Sequence, residues 1–387
     1  MKAAIGVDAG FIDGIDLGQS AAASFMDPRL YTSAAVFDLD MTHIIPSSWG
    51  LVGDTSRLEQ PGSYVTENIG SEPVLVVRGD DGRLRAFSNV CPHRASIVLD
   101  GEGDCGQRFS CPYHGWVFDT TGALRGIPHR DGFAEPPDPD ELGLRELPLA
   151  IWERFVFVNP SGTAPPLEEY LGDLPRLVRS HRIADQQPVF SYTHQAKANW
   201  KLLVDNGYCD YHVPVVHSRL MPLIERLSTW QEQADRYINI LRAPLTELGL
   251  ADQPLLDSIE ADEELVSELG SLTLAIGLYP NVLLLAFRTG AVHVISWWPQ
   301  APDLTEVRVQ TYDHQVPDDR DMRYGSESVE RLQQEDIRVC ELVQRGLASA
   351  HYRPGPRHYL ESRVAGFQST YHEELVRGIT LQTPVEG

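Results

Sequence analysis

Short runs of alternating or wholly apolar residues, broken by glycine and proline, begin at Trp49 and continue to about residue 160. GSYVTENIG, PVLVVRGDDGRLRAFSNV and RFSCPYHGWVFDTTGAL carry the strand pattern, and Asp81-Gly82 is a hairpin turn between two such runs. Residues 46–160 are therefore expected to form a small all-β domain that closes on AIWERFVFVNPSG. The proline- and acid-rich stretches AEPPDPDEL and SGTAPPLEE read as surface connections. Residues 1–45 mix helix and turn character and are expected to be an arm packed on the C-terminal domain. In 161–387 the spacing predicts a helix near 198–212, irregular acidic helical segments at 220–270, strands at 271–315 and a helix near 325–350. That half is an α+β domain, and no internal repeat or low-complexity tract interrupts the chain.

Composition narrows the classes. The chain has 387 residues, with 42% hydrophobic and 22% charged, an ordinary globular balance that suits two domains. Its 32 basic against 55 acidic residues give a net charge of −23, which argues against a nucleic-acid or anionic-membrane partner and permits a basic redox partner. Asp8, Asp13 and Asp16 interrupt the N-terminus where a signal peptide needs an apolar core, and the longest apolar stretch, around 272–287, is broken by Pro280-Asn281. Neither export nor a membrane span is expected. Five cysteines suit no disulfide framework once two are assigned below, so a reducing cytoplasm is expected.

Cys91-Pro-His93 is followed, seventeen residues on, by Cys111-Pro-Tyr-His114. C-x-H and C-x-x-H each supply one thiolate and one imidazole, the donor set of a Rieske [2Fe-2S] centre, where two Cys hold one iron and two His the other. Pro92, Pro112 and the turn at Gly115 stiffen the two ligand loops. A zinc ribbon is the competing reading, although zinc sites more often pair C-x-x-C or H-x-H.

A second constellation lies in NWKLLVDNGYCDYHVPVVH, where His212 and His217 bracket Pro214. On a straight helix two residues five apart point about 140° from each other, so both face one metal only if the helix ends between them, and Pro214 offers that break. In the later helix Val329, Leu332, Val339, Val343 and Leu347 recur at helical spacing, and Asp336 falls on the same stripe. A buried carboxylate needs an arginine, a hydrogen-bond network or a metal. With two histidines available, a 2-His-1-carboxylate site for non-haem Fe(II) is the favoured reading.

On NVCPHR, CPYHGW, NWKLLVDN through His217, LYPN and EDIRVCELVQRGL, nearly the whole chain resembles the large (α) subunit of the Rieske non-haem iron oxygenases, the ring-hydroxylating dioxygenase and Rieske monooxygenase family. The resemblance implies a Rieske [2Fe-2S] domain followed by a helix-grip (Bet v1-like) catalytic domain with an antiparallel sheet. It implies iron held by His212, His217 and Asp336, and a ring of subunits, a homotrimer, passing an electron from one subunit's cluster to the neighbour's iron through a bridging carboxylate. It also implies reductive activation of O2, with electrons from a separate NAD(P)H-dependent reductase and optionally a ferredoxin, and hydroxylation of a small organic, aromatic substrate. Oxidative demethylation or hydroxylation of a quaternary amine or methoxy compound is the alternative within the family.

The chain departs from the family pattern at one point. The bridging carboxylate usually stands three residues before the first iron histidine, where this chain has Cys209, while Asp210 follows one residue later and is rotated about 100° on a helix. Asp210 and Asp205 are the candidates for the bridge. Asp205 is also a candidate hydrogen-bond partner of His212, and Asn206 a group near the iron. Met221, Leu223, Trp230, Leu278, Leu284, Phe287, His293 and Trp297 are candidate pocket walls, with Arg288 or His293 able to meet a substrate carboxylate. Gly101-Glu-Gly103-Asp-Cys-Gly106 spells G-x-G-x-x-G but opens no βαβ unit, so no dinucleotide site follows from it. Two readings from other classes are a cluster-only electron carrier or redox sensor and a subunit whose cluster only stabilises the fold.

Overall fold

The alternation that begins at Trp49 becomes strands in a computed structural model of the chain, which describes residues 25–253, 255, 266, 270–315 and 319–382. Residues 1–24 of the expected arm and most of the acidic stretch 254–269 lie outside the described residues. Two units emerge: Met41–Leu167, and a second that joins the residues up to Asp40 with Glu168 onward.

The strands of Met41–Leu167 are β1 (Gly50–Asp54), β2 (Ser63–Ile69), β3 (Glu72–Arg78), β4 (Leu84–Ser88), β5 (Glu102–Asp104), β6 (Arg108–Ser110), β7 (Val117–Asp119), β8 (Leu124–Gly126), β9 (Glu146–Leu147), β10 (Leu149–Trp152) and β11 (Phe155–Val158). They pair antiparallel in three sheets, ordered β5-β2-β3-β4-β9, β6-β7-β8 and β1-β11-β10. The hairpin β3-β4 turns at Asp81-Gly82, where Gly82 has φ +75°, a left-handed conformation that glycine adopts without steric cost. Leu75, Val77, Phe87, Phe109, Trp116 and Phe118 form a core that also encloses Cys91 and Cys111. The G-x-G-x-x-G letters become the exposed edge strand β5 and the turn after it, paired to β2.

The other unit is built on β12 (Gln187–Ala196), β13 (Gln231–Ala234), β14 (Ile238–Pro244), β15 (Leu272–Leu278), β16 (Val282–Ala286), β17 (Val292–Ala301) and β18 (Leu304–Asp313). They form one antiparallel seven-stranded sheet ordered β12-β18-β17-β16-β15-β14-β13. The helices that bear on the site are α1 (Arg29–Thr32), α2 (Ala34–Leu39), α3 (Trp200–Gly207), α4 (Val213–Val216), α5 (Glu247–Asp252), α6 (Asp319–Leu347) and α7 (Ser362–Gln382). This is the α+β, antiparallel-sheet architecture expected. Within 220–270 the helical reading gives way: residues 231–244 are the hairpin β13-β14, because Ile238 and Ile240 bury against the sheet and β14 completes its ladder with β15. Helix α7 has no counterpart in the sequence reading.

Helix α3 opens where Asn199 caps the backbone N–H of Lys201 at 3.0 Å, and it buries Trp200, Leu203 and Val204. It ends at Gly207, five residues earlier than expected. There a Cβ would stand 2.3 Å from the Trp297 ring of β17, so helix and sheet meet at a distance only glycine allows. At its start, fully buried Lys201 pairs with fully buried Asp40, which also accepts hydrogen bonds from Trp200 Nε1 (3.0 Å) and Tyr371 Oη of α7 (2.6 Å). At its end, Asp205 accepts from Tyr31 Oη (2.5 Å) and Gln368 Nε2 (2.9 Å).

Burial pushes the Asp205 carboxyl up to about 6, against the opposing pull of those hydrogen bonds. The folded state thus holds a proton that the unfolded chain releases near pH 4. This residue's contribution to stability is present below about pH 4 and is lost as pH rises to about 6. In urea unfolding measured from pH 4 to 7, Asp205→Asn is expected to flatten that decline. An unchanged slope would contradict it.

Candidate metal centres and substrate cavity

The two cysteine-histidine loops share one backbone design. In the first, Cys91 N–H donates to Ser96 O (2.8 Å) and Ala95 N–H to Cys91 O (3.0 Å); in the second, Cys111 N–H donates to Trp116 O (2.8 Å) and Gly115 N–H to Cys111 O (3.0 Å). Ala95 (φ +55°) and Gly115 (φ +69°) occupy the matching left-handed corner. Each loop brings its cysteine inward, both 2% exposed, and leaves its histidine nearer the surface. The His93 and His114 rings lie 4.5 Å apart, and the Trp116 ring stacks on His93 at 4.8 Å. His93 Nδ1 is buried without a hydrogen-bond partner. Two adjacent thiols, two converging imidazoles and an orphaned ring nitrogen fit the donor set of a two-iron cluster.

Beyond Gly207 the chain runs to the short helix α4. His212 stands at its N-cap and His217 at its C-cap, with Pro214 in the first turn, where a missing N–H costs nothing. The break expected at Pro214 therefore lies earlier, at Gly207. Across from α4, α6 presents Asp336. His217 Nε2 lies 2.9 Å from Asp336 Oδ1, His212 Nε2 lies 3.3 Å from the same oxygen, and the two Nε2 atoms are 3.3 Å apart. A metal bonded at about 2.1 Å with right-angled ligands would set its ligand atoms about 3.0 Å apart, so the triad matches one face of an octahedral site. Among the described residues this is the group of His, Cys, Asp and Glu side chains that could hold an ion.

The electrostatics agree with a cation-ready site. Burial alone would raise the Asp336 carboxyl, yet hydrogen bonds with His212 and His217 outweigh it and hold the group at about 2. Burial alone would lower His217, but Asp336 and Glu335 raise it. Glu335 Oε2 sits 2.9 Å from His217 Nδ1, leaving Nε2 to face the triad.

Several expected neighbours lie elsewhere. Asp205 does not serve His212: its oxygens are taken by Tyr31 and Gln368, and the carboxylate orienting a histidine is Glu335 on His217. Asp210 is turned to Arg363 of α7, which donates at 3.0 and 3.1 Å and holds Asn239 with its Nε. A fully buried guanidinium therefore pairs with that carboxylate. Cys209 faces another acid, Glu361, at 3.7 Å from its Sγ, and burial pushes its thiol up to about 12, so it stays neutral. Asn206 borders the cavity that contains the triad. Glu335, Glu361 and Arg363 were not singled out in the sequence. Glu335 alone carried a signal, being the residue beside Asp336 on an amphipathic helix.

The α6 stripe is also rotated relative to expectation. Gln333, Ile337 and Cys340 are the buried positions, while Val343 is 48% exposed. Leu332 lines the triad cavity, and Val339, Val343 and Leu347 line a second cavity behind α3. The stripe reads as core because cavity walls and core share one chemistry.

The triad cavity has a volume of about 220 Å³. Leu220, Leu223, Ile224, Leu241, Leu283 and Leu285 dominate its wall, with Trp230 and Phe287 as aromatic members. Of the expected pocket residues, Leu223, Trp230 and Phe287 reach it, and Trp297 lines a smaller cavity beside Asp336. Met221, Leu278, Leu284 and His293 are absent from the lining. His293 bonds Thr311 at 2.7 Å, and Arg288 approaches Leu250 O at 3.4 Å. No lysine or arginine stands among the described lining residues.

Comparison with known proteins agrees with both centres. The family described as Rieske [2Fe-2S] domain matches residues 48–142, and that described as Ring hydroxylating alpha subunit (catalytic domain) matches residues 183–376. The chain is 30% identical over 349 residues to choline monooxygenase, chloroplastic, of Spinacia oleracea, covering 84% of this chain and 72% of that one. It is 30% identical over 345 residues to the carnitine monooxygenase oxygenase subunit of Escherichia coli K12, covering 87% and 88%. In fold it resembles the quaternary ammonium Rieske monooxygenase CntA with L-carnitine (TM-score 0.75, 24% identity, 93% and 96% covered). It also resembles naphthalene 1,2-dioxygenase of Rhodococcus sp. bound to indole (TM-score 0.73, 21% identity, 91% and 94% covered). The chain therefore belongs to the Rieske ring-hydroxylating oxygenase α-subunit family, oxidoreductases that use O2 with a [2Fe-2S] cluster and a mononuclear iron.

Proposed function

We propose that this oxygenase inserts oxygen into a small, uncharged, largely apolar molecule of one or two rings. In this reading Cys91, His93, Cys111 and His114 hold the cluster, and His212, His217 and Asp336 hold the iron. The carrying observation is the juxtaposition of the triad with an aliphatic cavity whose described lining residues include no lysine or arginine. At about 220 Å³ it exceeds the roughly 150 Å³ of an engineered apolar cavity that admits benzene.

When bound, the two iron centres supply electron transfer and O2 activation. The chain does the rest. Leu223, Leu241 and Leu283 hold the organic molecule beside the triad and keep water from it. Glu335 orients His217 so that Nε2 faces Asp336 and His212, where it would hold the iron. Replacing Glu335 with Gln is expected to weaken iron retention about 10–100-fold, read by titrating Fe(II) into the iron-free protein. Unchanged affinity would remove Glu335 from this role.

Electrons come from a separate NAD(P)H-dependent reductase, directly or through a ferredoxin, and the working assembly is a homotrimer. All five cysteines are free, which supports a reducing, cytoplasmic setting. No helix among the described residues is long and apolar enough to cross a membrane.

A quaternary ammonium substrate is the second reading. It is favoured by the choline and carnitine monooxygenase relatives and by Trp230 and Phe287, whose rings can face a cation. Among the described lining residues no cationic side chain stands ready to meet the carboxylate of a member such as carnitine. The deciding experiment supplies the reduced holoenzyme with single- and two-ring hydrocarbons, choline and carnitine, and follows O2 uptake together with oxygenated product. Product from the hydrocarbons supports the first reading; product from choline or carnitine alone replaces it with the second.

A further inference from the structure

The smaller cavity beside Asp336 has a volume of about 20 Å³, more than the roughly 10–15 Å³ that one water molecule requires. Leu203, Leu283, Trp297 and Ile337 give it apolar walls, and three polar side chains complete it: Asn206 from the last turn of α3, and Gln333 and Asp336 from α6. Gln333 stands three residues before Asp336 on the same helix face and is 9% exposed. Each of the three has hydrogen-bonding capacity left over. Asp336 turns Oδ1 to His217 and His212, at 2.9 and 3.3 Å, while its Oδ2 has no partner among the described residues. The carboxamides of Asn206 and Gln333 likewise bond no described residue, and both side chains border the triad cavity as well as this niche. The next amide along α6, Gln334, is by contrast taken up by Tyr192 and His194 of β12.

These leftover groups match what one water offers. It can donate one hydrogen to Asp336 Oδ2 and the other to a carboxamide oxygen, and accept from the remaining amide N–H, which makes the three or so bonds typical of a buried water. We propose that the niche is a water site and that Asn206 and Gln333 are positioning residues acting on Asp336 through that water. With Oδ2 held, Oδ1 stays turned to the two histidines. The role rests on the reading that the triad holds iron, and it gives the carboxylate a support comparable to that of Glu335 on His217.

Two measurements on the anaerobic holoenzyme and its variants test this: crystallographic density in the niche, and titration of Fe(II) into protein stripped of its mononuclear iron. The parent is expected to show one ordered water within hydrogen-bond distance of Asn206, Gln333 and Asp336. In Gln333→Met, a side chain of similar length without donor or acceptor fills the niche, so the water is expected to be gone and Fe(II) to bind about tenfold more weakly. Asn206→Leu is expected to cost a similar factor, and the double variant no more than either single one, because both act through the same water. A merely structural role would instead give losses that add. Cluster absorption and an unchanged urea midpoint establish that the variants are folded. A niche without water in the parent, unchanged Fe(II) affinity in Gln333→Met, or additive losses in the double variant each overturn the proposal while leaving the iron site standing. A parent that holds the water but takes up no Fe(II) overturns the iron reading, and this role with it.

Discussion

Replacing Asp336 with Ala is expected to abolish oxygenation while leaving the Rieske cluster's visible absorption intact. Asp336 Oδ1 is the point on which both histidines converge, at 2.9 and 3.3 Å, and without it two imidazoles remain to hold a divalent ion. The ion would be lost or displaced. The metal's share of transition-state stabilisation is several kcal/mol, so turnover should fall by at least on the order of 10³-fold. Chemical analysis gives an independent readout. The anaerobically prepared parent should contain about three irons per two acid-labile sulfides, and the variant about two. A ratio of two to two in both proteins, even after reconstitution with Fe(II), would mean the triad holds no iron and would revive the electron-carrier reading.

The second large effect is structural. Lys201→Met should destabilise the catalytic unit by about 3–5 kcal/mol, because it strands the Asp40 carboxylate at 0% exposure without its counter-charge. Trp200 and Tyr371 would still donate to Asp40, but neutral donors replace only part of an ion pair. The same residue ties α2, α3 and α7 together at the root of the segment that leads to His212. Iron retention should therefore weaken along with the urea midpoint of the catalytic transition. A loss below about 1 kcal/mol would place the pair among those that contribute little.

The cluster loops were legible because their chemistry is local. Cys91-Pro-His93 and Cys111-Pro-Tyr-His114 each fit within a single turn, and no distant residue is needed to recognise the donor set. His212, His217 and Asp336 were legible as types and spacing. Their convergence was not, because it depends on where α3 stops. That stop is set by Trp297, some ninety residues on, which leaves room only for Gly207. Pro214, the nearest breaker in sequence, sits harmlessly in a first turn. Carboxylates were the least legible. Asp205, Asp210 and Cys209 stand within five residues of one another, yet their partners come from the N-terminal segment, from α7 and from Glu361.

The sequence by itself determined the strand-rich first domain, the α+β second one and seven candidate donor side chains, since these depend on period, turn residues and ligand type. Only the tertiary structure decided which carboxylate serves which partner, that 231–244 joins a sheet, and that a helical stripe lines cavities rather than a core. The reason is range. Period and turn chemistry act over a few residues, whereas burial, charge pairing and cavity shape are settled by segments that meet only after the chain has folded.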